Sequence, residues 1–536
     1  MPMLHYQISQ IKLILSVTLF LTIFHNFTFL RKVIDAYAGT DNIWLIVISL
    51  FVIHGCMLTI LLSLGGLHKQ LKPVLIGLLL LSSITSYFID TYQVVFDSDM
   101  ITNMIETDAG EVNDLLNYRL LGYFVLIGAL PAYLLSKLQL IQEPFFQAIL
   151  KRFVLIASCL IIAAATIYFY SDFYASFFRS HKIIRYYTNP TTPIYSLYKF
   201  IDLQLKVNNI NEFLTVGTDA AVPDSDLDTE LVILIVGETA RTDHFSLNGY
   251  KRITNPLLSQ RKLVSFSNVS SCGTSTAVSV PCMFSFLEQN NYSKDKSSSM
   301  ENVLDVLHRS GVSILWRDNN SGSKGVASRV KYESYKTPIV NPVCNPECRD
   351  EGMLDGLNEW VKQHTSSDML IVLHQMGSHG PAYFKRYPDN FEKFKPTCQS
   401  TQLDKCTREE VVNAYDNSIL YTDYFVDRVI NWLKEKSTQF ETSMIYISDH
   451  GESLGESGLY LHGIPYALAP TTQTHVPTLF WSSEENSDID LEALQNSINE
   501  PYSHDNLFHT LLGIFEIKSE VYQPEKDILK YKHTYQ

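Results

Sequence analysis

Positive charge is in short supply in this chain. Lysine and arginine number 42 against 56 aspartates and glutamates, a formal net charge of −14 that argues against nucleic acid as a partner. The same balance leaves phosphate-bearing ligands open, because local rather than net charge governs a site. There is no internal repeat and no low-complexity tract, so the chain is not built as an array. Cysteine is sparse, 8 in 536 residues, and no histidine completes a finger-like zinc pattern around the close pairs Cys344/Cys348 and Cys398/Cys406.

What is present is concentrated apolar character. The 46% hydrophobic content gathers in the first third, where runs at 11–30, 43–64, 73–89, 120–135 and 153–170 each approach the length of a membrane span. An Ala-x-Ala pattern at Ala36 to Ala38 follows Arg31, Lys32 and Asp35, and further spans come after it, so the first run reads as an uncleaved anchor. His68, Lys69 and Lys72, and then Lys137, Lys151 and Arg152, mark two cytoplasmic loops. The loop between the third and fourth runs carries Asp90, Asp97, Asp99, Glu106, Asp108, Glu111 and Asp114 with no base before Arg119, and reads as external. Five spans and an inside amino terminus then export everything beyond 170, although Arg31 and Lys32 run against that topology.

The cysteines agree with export. Cys56 and Cys159 lie in apolar runs, whereas Cys272, Cys282, Cys344, Cys348, Cys398 and Cys406 all fall in the exported part as three close sequential pairs. An even set in an oxidising compartment reads as disulfides, with zinc binding by the latter two pairs as the alternative.

Residues 171–213 are aromatic and basic, with Phe177, Phe178, Arg179, Lys182, Arg185, Tyr186 and Tyr187, a composition suited to helices at a headgroup surface. Residues 215–230 hold Gly217, Pro223 and several aspartates and read as a linker. The organisation expected is a membrane domain over 1–170, interfacial helices and linker over 171–230, and a catalytic domain over 231–536.

That last domain opens with Leu231-Val232-Ile233-Leu234-Ile235-Val236, an unbroken apolar run of the buried-strand kind. Similar runs at 312–316, 369–373, 444–447 and 476–481 alternate with helix-length segments such as 411–434, which is an α/β pattern. Chemistry in such sheets collects beyond the carboxyl ends of the strands. Those ends carry Glu238, then Arg317 and Asp318, then His374, and finally Asp449 and His450. Carboxylates and an imidazole converging there suit zinc with one position left for a reacting oxygen. Taken alone, an Asp-His pair is more often a helix cap with a satisfied neighbour.

The reacting oxygen is sought in Ser271-Cys272-Gly273-Thr274-Ser275-Thr276, a hydroxyl-rich run closed by Cys282, and Thr276 is the candidate nucleophile. A helix starting at Thr276 would help hold a phosphoryl group, with Pro281 ending or kinking its first turns.

Four motifs together resemble the bacterial phosphoethanolamine transferases of the lipid A type, the family that includes the mobile colistin resistance enzymes. They are Gly237-Glu238-Thr239-Ala240-Arg241, the run from Ser271 to Cys282, His374-Gln375-Met376-Gly377-Ser378-His379-Gly380-Pro381, and Ser448-Asp449-His450-Gly451-Glu452. The resemblance implies a five-span helical membrane domain carrying an α/β alkaline-phosphatase/sulfatase-like periplasmic domain in a Gram-negative inner membrane. It implies Glu238, Thr276, Asp449 and His450 as ligands of one tightly bound zinc, with Thr276 also the nucleophile. His379 and His462 match a pair that binds the phosphoryl group or a second, looser zinc. Asn320 and Lys324 match donors to the phosphoethanolamine group, and Asn103, Thr107 and Glu111 match residues receiving its ethanolamine end, where a carboxylate suits an ammonium. Glu452 is expected to orient ligands, and His504 to serve structure.

The reaction implied takes phosphoethanolamine from phosphatidylethanolamine to a lipid A phosphate through a phosphoethanolamine-threonine intermediate, weakening binding of polymyxin and other cationic peptides. The enzyme is expected to be a monomer. A core-sugar acceptor or a phosphoglycerol donor is the alternative; a sulfatase would need a Cys-x-Pro-x-Arg nucleophile, which is missing here. One departure stands out: several relatives read Gly-Cys-Lys-Gly-Val-Cys where this chain has Gly322-Ser323-Lys324-Gly325-Val326-Ala327, so a bridge near Lys324 is absent.

Overall fold

The computed structural model describes residues 7–39, 43–66, 68–107, 109–208, 213–223, 228–345 and 347–532. The chain divides into two units, one made of Met1–Ile101 and Leu115–Lys199, the other of Thr102–Asp114 and Phe200–Gln536.

The first unit is helical. Among the described residues, four helices are long and apolar enough to cross a membrane: α3 (Ile43–Leu64), α4 (Leu71–Tyr92), α5 (Tyr118–Lys137) and α6 (Phe145–Phe169). The first expected span is instead a bent pair, α1 (Gln10–Phe24) and α2 (Phe27–Ala36), meeting at 56°, so the count reaches five only if the pair is one span. The polar His25-Asn26 step explains the break: the Asn26 amide donates to Leu21 O and to Asn189 O instead of continuing an apolar face. On α6, Phe153, Ile161 and Tyr168 are well exposed while Ala148, Arg152 and Cys159 are the buried residues, the pattern of a helix facing hydrocarbon on most of its circumference. Arg152 anchors its start, donating to Ser63 O, Gly66 O and Gln10 Oε1 at 2.6–2.8 Å. Beyond α6, α7 (Ser171–Ser180) and a helical turn lead to Asn189, which is fully buried and bonded to Asn26, Ser82, Thr85 and Ser86, before α8 (Thr191–Asn208).

The second unit is built on a seven-stranded sheet. Its strands are β1 (Glu230–Gly237), β2 (Val264–Phe266), β3 (Ser313–Asp318), β4 (Lys331–Ser334), β5 (Met369–His374), β6 (Glu441–Ser448) and β7 (Thr478–Ser482), in spatial order β2-β7-β6-β1-β5-β3-β4. From β6 through β1, β5 and β3 to β4 all pairs are parallel, while β7 runs antiparallel to β6 and to β2. Every residue from Leu231 to Val236 is fully buried, because β1 is central and covered on both faces. Each such side chain contributes about 1.5–3 kcal/mol relative to exposure. Val232, Leu234 and Val236 pack with Leu304, Leu307, Phe508 and Leu511 on one face. Leu231, Ile233 and Ile235 pack on the other with Val411, Tyr415, Ile419 and Phe425 of α10 (Arg408–Lys434). Helix α10 begins with a capping box between Thr407 and Glu410. The three expected disulfides, Cys272–Cys282, Cys344–Cys348 and Cys398–Cys406, are formed.

Candidate active site

Parallel strands deliver their carboxyl ends to one edge, and this sheet places reactive groups there. Glu238 follows β1 directly and Asp449 and His450 follow its neighbour β6, with Gly237 paired to Ser448 in register. One donor atom from each of Glu238, Asp449 and His450 lies within 4.8 Å of the others, and all three residues are buried. Thr276 is the first residue of α9 (Thr276–Met283), which runs through Pro281. Its hydroxyl donates to Glu238 Oε2 at 2.9 Å and stands 3.4 Å from His450 Nε2.

The protonation pattern follows from burial. His450 is held well below the ordinary histidine range by burial, so its ring is neutral. Its Nδ1 lies 2.9 Å from Gly451 O, which fixes the proton there and leaves the Nε2 lone pair pointing inward. Nε2 then faces Glu238 Oε1 and Asp449 Oδ2, each at 3.4 Å. Burial also raises the Asp449 carboxyl, whose Oδ1 accepts the backbone N–H of Thr239 and His450. Acceptors facing acceptors at this spacing is the arrangement a divalent cation relieves, and two carboxylates, an imidazole and a hydroxyl are a fitting donor set.

The surrounding shell is held in unusual backbone. Thr239, Lys324 and Leu461, neighbours of the ligands or themselves candidates, have φ of 54°, 52° and 63°, strain of the kind that collects at functional sites. Gly377 has φ 51°, and a Cβ there would sit 2.9 Å from Glu238 O, so only glycine fits against this residue. Asn320, fully buried, donates its amide to Glu238 Oε2 and to Gln375 O, each at 2.7 Å.

The two further histidines lie close by. The His462 ring is 4.4 Å from that of His450 and 5.7 Å from that of His379. His462 Nδ1 is 3.1 Å from Glu452 Oε2, a buried carboxylate raised by its burial, and burial keeps His379 well below the usual histidine range. His504 has both nitrogens engaged, by Cys272 N–H at 3.1 Å and Ser448 O at 2.9 Å, and ties the Cys272 loop to β6.

The side chain of Lys324 is buried, donating to Ser321 O at 3.0 Å and lying 3.6 Å from Glu106 Oε2. Glu106 also accepts from Lys294 at 2.6 Å. Asn103 and Thr107 flank Glu106, and the Thr107 hydroxyl donates to Asn103 O at 2.7 Å. Glu111 falls in the helix Ala109–Leu115, and its side chain lies outside the described residues.

Sequence reasoning did not single out Glu106 or Lys294, because a pairing across 188 residues leaves no local pattern. It also passed over Asp350, which accepts the N–H groups of Met376 and Gly377 at 2.8 and 3.2 Å and so shapes the loop against Glu238.

Comparisons with known proteins agree with this architecture. Residues 230–517 match the sulfatase family, and residues 55–205 match the amino-terminal domain of phosphoethanolamine transferase EptA/EptB. Phosphatidylethanolamine transferase Mcr-1 of Escherichia coli is 43% identical over 524 residues, 96% of each chain. Phosphoethanolamine transferase EptA of Escherichia coli (strain K12) is 38% identical over 523 residues, 95% of each chain. The solved integral membrane lipooligosaccharide phosphoethanolamine transferase A (EptA) from Neisseria meningitidis superposes with a TM-score of 0.92 at 34% identity, covering 98% of this chain and 99% of that one. With these matches spanning both units, the chain belongs to the EptA/Mcr family of membrane phosphoethanolamine transferases.

Proposed function

We propose that this protein, as a monomer in the inner membrane of a Gram-negative bacterium, transfers phosphoethanolamine from phosphatidylethanolamine to a phosphate of lipid A on the periplasmic side. The observation that carries the reading is the Thr276 hydroxyl at the start of α9, 2.9 Å from Glu238 Oε2 and beside the inward lone pair of His450. The similarity to a phosphatidylethanolamine transferase, Mcr-1 of Escherichia coli, supports the donor.

Glu238, Thr276, Asp449 and His450 would hold one zinc ion, which when bound supplies a Lewis acid that lowers the pKa of a ligating hydroxyl and stabilises phosphoryl oxygens. Thr276 Oγ1 attacks the donor phosphorus. The bond from phosphorus to the diacylglycerol oxygen breaks, the threonine proton ends on diacylglycerol, and phosphoethanolamine remains on Thr276. An oxygen of the acceptor phosphate then attacks the same phosphorus, the bond from phosphorus to Thr276 Oγ1 breaks, and the proton given up by the acceptor phosphate restores the threonine hydroxyl. The start of α9 points backbone N–H groups at the phosphoryl group. His379, His462 and Lys324 offset its charge, and His379 with His462 would be the ligands of a second, looser zinc if one binds. Asn320 holds Glu238 in position as well as serving the phosphoethanolamine group, and Asn103, Thr107 and Glu111 receive the ethanolamine end. The product carries an ammonium beside its phosphate, which weakens binding of polymyxin and other cationic peptides.

Mass spectrometry of lipid A from cells expressing the wild type and Thr276→Ala tests this. Phosphoethanolamine-modified lipid A is expected with the wild type alone; unmodified lipid A in both rejects the acceptor.

A further inference from the structure

The first unit contains an open cavity of about 660 Å³ between α3 and the chain that follows α6. Its floor is largely apolar, from Phe29, Leu50, Ile53 and Met57 with Phe178 beside them, and the buried His54 is the polar side chain set among the α3 residues. A second recess of about 440 Å³ shares Met57, Thr191 and Tyr195 with the first and extends it along α3 to Leu64. The two form a continuous apolar track on helices that cross a membrane, a surface that hydrocarbon wets.

Two cations stand over this track. Arg185 lies 5.1 Å from the Tyr186 ring and Lys199 5.5 Å from the Tyr195 ring, and all four residues line the larger cavity. Neither cation forms an ion pair among the described residues, and the lining holds no aspartate or glutamate. A cation beside hydrocarbon is costly unless an anion meets it, and in a membrane the anion at hand is a lipid phosphate.

We propose that this groove binds one anionic glycerophospholipid, its phosphate between Arg185 and Lys199 and an acyl chain laid along the Leu50 to Met57 face of α3. The charge pattern disfavours the zwitterionic donor lipid as occupant, since an ethanolamine ammonium is best met by an anion and no aspartate or glutamate is among the described residues that line the cavity. The size argues against lipid A, because a cavity of this volume suits a headgroup and the upper part of one or two chains. The lipid proposed here is therefore distinct from the proposed donor and acceptor.

Native mass spectrometry of the delipidated full-length protein, titrated separately with phosphatidylglycerol, phosphatidylethanolamine and lipid A, tests the inference. Phosphatidylglycerol should bind the wild type about tenfold or more tightly than phosphatidylethanolamine, two surface cations each contributing several-fold. Arg185→Gln with Lys199→Gln should bring the two within about twofold of each other. Met57→Trp, which fills the groove and keeps both cations, should lose phosphatidylglycerol binding. Equal binding of the two glycerophospholipids by the wild type, tighter binding of lipid A, or a preference that survives either variant overturns the proposal. The wild-type comparison decides the case alone if a variant misfolds.

Discussion

Asn320 donates its side-chain amide to Glu238 Oε2 at 2.7 Å, the same oxygen that accepts the Thr276 hydroxyl. The proposed nucleophile, ligand and positioning amide are thus joined at one atom. Replacing Asn320 with alanine removes one of the two donors to Glu238 Oε2. Loss of a group that orients a ligand usually costs about 10- to 100-fold in metal affinity or activity. Elemental analysis and a lipid transfer assay on Asn320→Ala should show both falling together. Full metal occupancy with full activity would remove Asn320 from this role.

Gly377 is the second constraint on Glu238, with its left-handed φ and no room for a Cβ. Gly377→Ala should push Glu238 off its place. A displacement near 1 Å costs on the order of 100-fold in rate. A transfer assay checks this, with thermal unfolding within a few degrees of the wild type to show that the fold survives.

How far the chain itself announces this site depends on what kind of contact is involved. The run from Leu231 to Val236 announces β1 because burial on both faces demands unbroken apolar residues, and Glu238, Asp449 and His450 announce themselves by following such runs. The reverse direction of β7 leaves no trace, since Leu479 and Phe480 are buried equally well in either orientation. Strand β4, Lys-Tyr-Glu-Ser at the sheet edge with mostly exposed side chains, lacks the apolar pattern by which strands are recognised. The Glu106 to Lys324 pair is likewise silent, because charge attraction requires no sequence spacing. The bend after Phe24 was readable in principle from His25-Asn26, but the apolar residues on both sides masked it.

Asp527 is buried, with the hydroxyls of Tyr522 and Tyr531 donating to it at 2.9 and 3.0 Å, and burial pushes its carboxyl up to about 6. The folded state therefore favours the protonated form more than the unfolded state does. That contribution is complete below pH 3.8, the unfolded value, and is lost as pH rises through about 6. Its size is on the order of 3 kcal/mol. Unfolding of the full-length protein, followed by tryptophan fluorescence between pH 4 and 7, should show a shallower decline in Asp527→Asn than in the wild type. Parallel curves contradict the assignment.

Cys272 and Cys282 bracket the start of α9, joining the loop before Thr276 to the helix after it. Replacing both with alanine should lower stability by about 2–4 kcal/mol. Denaturant unfolding measures the loss, and transfer activity should fall as the position of Thr276 loosens. An unchanged midpoint would show that the packing around His504 holds the loop without the bridge.

The central claim is that Thr276 carries the transferred group. Full-length enzyme incubated with phosphatidylethanolamine and no acceptor, then digested and analysed by mass spectrometry, addresses it directly. The account predicts a peptide bearing phosphoethanolamine on Thr276, lost on addition of lipid A and never formed in Thr276→Ala. An unmodified Thr276 in an enzyme that still cleaves the donor, or the group on another residue, would contradict it.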